Sequence, residues 1–85
     1  MNIELRFFAS VREQLGCSQE SISLPEHIRT LGDVRAFLSE RGSLWAETLA
    51  EGKALRMAYN QAMSDASTPI EDGGEVAFFP PVTGG

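Results

Sequence analysis

Eighty-five residues, 42% hydrophobic and 22% charged, suit one small domain whose core is only just sufficient. A net charge of −5 without a basic cluster argues against nucleic acid, whose phosphates demand Lys and Arg, and suits a partner with a basic face, as enzymes handling phosphorylated substrates have. The longest apolar run is far short of a membrane span and no charged-then-apolar signal opens the chain, so no membrane association and a cytoplasmic location are expected.

Residues 3–8 alternate, with Ile3, Leu5 and Phe7 on one side and Glu4, Arg6 and Phe8 on the other, which predicts a half-buried strand. Ser10 with Glu13 has the spacing of a capping box, Val11 and Leu15 share a helical face, and Gly16 ends a short helix. Glu20 to Leu24 alternates again and stops before Pro25. Thr30 and Asp33 open the main helix, whose apolar stripe is Leu31, Val34, Phe37 and Leu38 and whose terminator is Gly42. Ser43 is placed to cap a further short helix in which Trp45 and Leu49 lie four apart; stripe and tryptophan read as core.

Leu55, Met57 and Tyr59 alternate in a third strand, Asn60-Gln61 turns the chain, and Ala62 to Ser64 returns. Asp65 to Pro69 has loop composition, Asp72-Gly73-Gly74 is a turn, and Glu75 to Phe79 is the last strand. The single cysteine, Cys17, has no partner for an internal disulfide. It reads as a small residue near a helix end, the alternative being a nucleophile or thiol relay. The one histidine, His27, lies in a separate loop with no triad pattern around it, and no Cys/His cluster has metal-ligand spacing.

The order of elements is compatible with one mixed sheet covered on one face by helices. Helices on one side can cover only one sheet face. Ile3, Leu5, Phe7, Val76 and Phe78 should then point at the main helix, while Phe8 and Phe79 fall on the opposite parity and Met63 joins them in an apolar patch. The alternative is that the short helices fold over these side chains, or that strand parity slips at Phe7-Phe8.

The chain closes on Phe78-Phe79-Pro80-Pro81-Val82-Thr83-Gly84-Gly85. Pro80 and Pro81 fix φ and remove two backbone donors, so the strand stops and the chain leaves stiff and straight. Six residues from Pro80 onward reach roughly 20 Å at about 3.3 Å each. Gly84 and Gly85 make the tip slim enough for a narrow channel, with mobility expected beyond Val82. The α-carboxylate of Gly85, ionised at neutral pH, is a poor electrophile until another enzyme activates it, for instance by adenylation. The division is therefore a domain over 1–79 and an extended tail over 80–85. Gly-Gly alone is a weak signal, since it arises by chance in roughly 0.5% of chains.

This C-terminal stretch, with Pro69 to Ala77, Asn60-Gln61 and the opening Leu5 to Glu13, resembles the small, sulfur-carrying subunits of molybdopterin synthase, which are ubiquitin-like. One departure is Gly74, where that family more often carries an acid; its effect is expected to be a looser loop. The resemblance implies an α+β, β-grasp fold with a mixed sheet of four to five strands, one main helix and short extra helices, and with first and last strands side by side at the sheet centre. It implies that Gly85 is adenylated by an ATP-dependent, ubiquitin-activator-like enzyme and converted by a sulfur-donating enzyme to a thiocarboxylate. Pro80, Pro81, Val82, Thr83 and Gly84 would then enter the large synthase subunit, where sulfur passes to cyclic pyranopterin monophosphate, two carriers being used per dithiolene. Phe8, Met63 and Phe79 match positions that pack on the large subunit in a heterotetramer. The chain itself would bind no cofactor, ATP being used by the activating enzyme, and catalytic side chains would belong to its partners. A thiamine-pathway sulfur carrier, a protein modifier of the same fold, and a non-catalytic interaction module are the alternatives.

Overall fold

The computed structural model describes residues 1–50 and 52–81. In chain order the elements are β1 (Asn2–Phe7), α1 (Ala9–Leu15), β2 (Gln19–Ser23), α2 (Leu31–Ser39), α3 (Ser43–Leu49), β3 (Arg56–Tyr59), β4 (Ala62–Ser64) and β5 (Glu75–Phe79). The strands form one mixed sheet in the order β2-β1-β5-β3-β4. β1 and β5 pair in parallel, with Leu5 opposite Val76 and Phe7 opposite Phe78, while the other three pairings are antiparallel. This is the β-grasp arrangement, with the first and last strands adjacent and β5 at the centre.

Period-two patterning decides which side chains enter the core. Ile3, Leu5 and Phe7 of β1, Met57 of β3, and Val76 and Phe78 of β5 face one side and are buried. Val11, Leu31, Val34, Leu38 and Leu49 reach them from the three helices, with Phe37 and Trp45 packed at the margin. Phe7 stands at the middle of this layer. Its ring stacks on Phe78 at 6.1 Å between centroids and meets Trp45 edge-on at 5.8 Å.

The main helix opens as its sequence requires. The Thr30 hydroxyl accepts from Asp33 N at 3.2 Å, and the Asp33 carboxylate accepts from the backbone of Arg29 at 3.0 Å and of Thr30 at 3.2 Å. These bonds hold the Asp33 carboxyl below the usual range, the Arg29 N–H being the largest cause. At its far end the chain is tied to β2. Arg41 donates two hydrogen bonds to the Glu20 carboxylate, at 2.8 and 2.7 Å, and its guanidinium lies 4.7 Å from the Trp45 ring centroid. Hydrogen bonding from Arg41 lowers the Glu20 pKa. Arg35 caps α3, donating from Nε to Leu49 O at 2.7 Å and from its terminal nitrogen to Ala50 O at 2.5 Å and Lys53 O at 2.9 Å.

Three boundaries depart from the local signals. α1 begins at Ala9, not after a cap at Ser10, and no side chain caps it. Phe8 N donates to Phe78 O at 3.2 Å, so the sheet holds the chain up to that residue, and Phe8 O then accepts the first helical bond, from Val11 N at 3.1 Å. Ser10 is thus already inside the first turn, and Ala9 takes up the change of direction at φ 52°. Gly42 does not terminate α2, which ends at Ser39; it is the N-cap of α3, so Ser43 is helical and caps nothing. Thr30 also pairs with Pro69, which pins the start of α2 to the loop before β5.

Gly74 does not loosen its turn. A Cβ there would lie 2.5 Å from Tyr59 Oη and 2.6 Å from Cε1, so the bare backbone is what admits the tyrosine ring. Tyr59 Oη then accepts from Glu71 N at 2.7 Å and closes the loop. Asn60 and Gln61, at φ 49° and 68°, form the two-residue hairpin turn, and Asn60 Oδ1 accepts from Glu75 N at 2.9 Å.

Gly74→Ala is expected to destabilise the fold by about 1–3 kcal/mol through this clash, and Thr30→Ala by about 1 kcal/mol through the lost cap, both read from chemical denaturation. The lowered pKa values set a pH dependence. Glu20 and Asp33 bind protons less readily folded than unfolded, as does Asp65, held low by the Ser67 hydroxyl first. Their contribution is complete above the ordinary carboxylate range and is lost as pH falls through the folded values. The thermal midpoint should therefore decline progressively below about pH 4.

Candidate partner-docking face and tail root

The second face of the sheet carries no helix. Register places Glu4 and Arg6 of β1, Glu75, Ala77 and Phe79 of β5, and Arg56 and Ala58 of β3 on it. Met63 of β4 joins them, since it stands directly opposite Ala58. Phe8, one residue past β1, continues the same parity. It is 42% exposed and Met63 is 64% exposed, while Phe79 is half-buried. The three side chains are thus brought to one face, and the helices do not fold over them.

Between them lies a floor that the patterning did not reveal. Ala58 and Ala77 are cross-strand partners at the centre of this face, and each is shaded to under one-tenth exposure by its larger neighbours. These small apolar residues occupy the middle of the face, with Met63 directly opposite Ala58 and Phe79 two residues on from Ala77. The signal was present in the sequence: Ala77 shares the parity of Phe79, and Ala58 lies one position off the Met57–Tyr59 stripe. Only the register shows that the two alanines meet.

Charge borders the patch. The Arg6 guanidinium lies 5.8 Å from the Phe8 ring centroid and 3.8 Å from the Glu75 carboxylate. The Ser21 hydroxyl donates to Glu4 further along the sheet. Pro80 and Pro81 follow Phe79 outside any strand and are half-buried. Val82, Thr83, Gly84 and Gly85 lie outside the described residues, as do the expectations placed on them.

Cys17 is partly buried against the core, on the helix side. Burial first, then the Glu20 carboxylate, pushes its thiol up. At neutral pH it is a protonated, packed side chain and a poor nucleophile. His27 is exposed in the loop before α2. Among the described residues no group of three or more His, Cys, Asp and Glu is arranged to hold a metal ion, and no helix is long and apolar enough to cross a membrane.

Comparison with known proteins gives a consistent result. The ThiS family matches residues 5–85. The chain is 40% identical over 83 residues to the molybdopterin synthase sulfur carrier subunits of Haemophilus influenzae and of Escherichia coli K12, covering 98% of this chain and 99% of each relative. Its fold is similar to a chain in the solved protein–protein complex of subunits 1 and 2 of molybdopterin-converting factor from Helicobacter pylori. There the TM-score is 0.66, the identity 31%, and both chains are covered completely.

The two faces should respond oppositely to truncation. Phe7→Ala is expected to cost about 3–5 kcal/mol by opening the core, while Phe8→Ser and Met63→Ser should stay within about 0.5 kcal/mol of the parent in the same denaturation experiment.

Proposed function

The chain belongs to the ThiS family, and we propose that it is the sulfur carrier of a molybdopterin synthase, delivering sulfur from its own C-terminus while docked on the large synthase subunit. The observation that carries this reading is near-complete coverage, at 40% identity, by two molybdopterin synthase sulfur carrier subunits. The geometry supplies the means. The last strand ends beside Phe8 and Phe79, so an apolar face and the tail root form one contiguous surface.

The reaction uses the terminal carboxylate. A Gly85 carboxylate oxygen attacks the α-phosphate of ATP on a ubiquitin-activator-like enzyme, and pyrophosphate leaves. Sulfide-level sulfur then displaces AMP from the acyl adenylate to leave a thiocarboxylate; where the donating enzyme offers it as a persulfide, the acyl disulfide first formed is cleaved by a thiol reductant, which is oxidised to a disulfide. With Phe8, Met63 and Phe79 seated on the large subunit, Pro80 to Gly84 carry the loaded terminus into its active site. There the terminal sulfur bonds to cyclic pyranopterin monophosphate, and water cleaves the resulting thioester, leaving sulfur on the pterin and regenerating the Gly85 carboxylate. The product dithiolene holds two sulfurs, so two loaded carriers are consumed. The chain binds no cofactor of its own; acids, bases and cations for the transfer belong to the large subunit. A cytoplasmic setting supplies the ATP and the partner enzymes.

Glycine suits the terminal positions because no side chain obstructs attack on the activated carbonyl. Incubation with ATP, the activating enzyme and a sulfur source should replace one C-terminal oxygen by sulfur, read as intact mass. A chain extended by one residue beyond Gly85 should show no such change and should not support pterin synthesis. An unmodified terminus in the parent, together with normal pterin output after deletion of Gly85, would overturn the assignment.

A further inference from the structure

Net charge suggests an acidic protein seeking a basic partner, but an exposed cation stands at the root of the tail. Arg56 opens β3 and is the direct cross-strand partner of Phe79, the last residue of β5. It lies on the open face, is exposed, and forms no ion pair or side-chain hydrogen bond among the described residues. The other cation of this face, Arg6, is already engaged by Glu75 and Phe8. Arg56 also borders an open hollow of about 560 Å³ at the sheet edge, which Met63 of the apolar patch, Asp65 and Thr68 help to line.

We propose that Arg56 is a partner-recognition cation at the root of the tail, pairing with a carboxylate that the large subunit presents beside the mouth of the channel receiving the tail. This rests on the carrier reading above. Directly opposed side chains on neighbouring strands stand about 5 Å apart at Cβ, so any surface that covers Phe79 also desolvates Arg56. A guanidinium stripped of water without a counter-charge opposes docking, whereas a carboxylate meets its planar fork with two hydrogen bonds. The position separates this contact from the chemistry. Six residues from Pro80, if fully extended, would span roughly 20 Å, so cations that hold a phosphorylated substrate would act at that distance from the recognising acid at the tail's base. The partner surface is thus apolar at its centre and acidic where the tail enters.

The test measures affinity and association rate of the full chain with the purified large subunit at low and high salt. Arg56→Glu should weaken binding about 30-fold or more at low salt and Arg56→Ala about 3–10-fold, with much of the loss in the association rate and the differences shrinking as salt rises. Arg56→Lys should recover part of the affinity. Arg29→Glu, the same charge change in the exposed loop before α2, should stay within about 2-fold of the parent if local pairing and not net charge is responsible. Thermal midpoints should be unchanged; if charge reversal unfolds β3, Arg56→Gln serves in its place. Parent-like affinity of the Arg56 variants at low salt, or an equal loss in Arg29→Glu, would overturn this inference alone. Failure of the parent chain to bind the large subunit would overturn the carrier reading and this inference with it.

Discussion

Parallel pairing of β1 with β5 brings the C-terminal ends of the first and last strands to the same end of the sheet. Phe7 and Phe78 stack beneath that pairing, and Trp45 closes on Phe7 from the helix side. The consequences run outward from this contact. The turn out of β1 places Phe8 beside the point where β5 ends, with Phe8 N bonded to Phe78 O. β3 runs antiparallel to β5, so its first residue, Arg56, arrives at the same place. An apolar patch, a cation and the exit of the tail are thereby gathered at one end of the open face.

A sheet with helices on one side only leaves its second face to solvent or to a partner. Here that face is graded. Ala58 and Ala77 make its centre, Phe79 and Met63 flank them, and the Arg6–Glu75 pair lies alongside, with the Arg6 guanidinium also over the Phe8 ring. The helix layer meanwhile is locked by contacts that leave the open face undisturbed: the Thr30–Asp33 cap, the Arg35 cap on α3 and the Arg41–Glu20 pair. With the stabilising contacts confined to the helix layer, the side chains of the open face can change with little cost to the core.

Much of this was legible along the chain because it is local. Strand parity is a period-two property of each segment, so the buried set Ile3, Leu5, Phe7, Val76, Phe78 and the outward set Phe8, Phe79 follow from residue order. Turn chemistry is equally local: Gly16 adopts the left-handed conformation after α1, and Asn60-Gln61 makes the hairpin. Where local signals failed, a distant contact had prevailed. The capping-box spacing at Ser10 lost to the bond between Phe8 and Phe78, which keeps the chain in the sheet until the helix has already begun. Gly74 looked like a looser turn because the ring that fills its space comes from Tyr59, on another strand.

The amino-acid order by itself determined which segments become strands and helices and the face each strand side chain takes, because these depend on neighbours a few residues away. Tertiary structure alone decided that Ala58 meets Ala77, that Arg56 stands against Phe79 and that Tyr59 lies over Gly74. Each of these is a matter of strand order and register. Which strands become neighbours is settled by the packing of the whole core, and no segment carries that information alone.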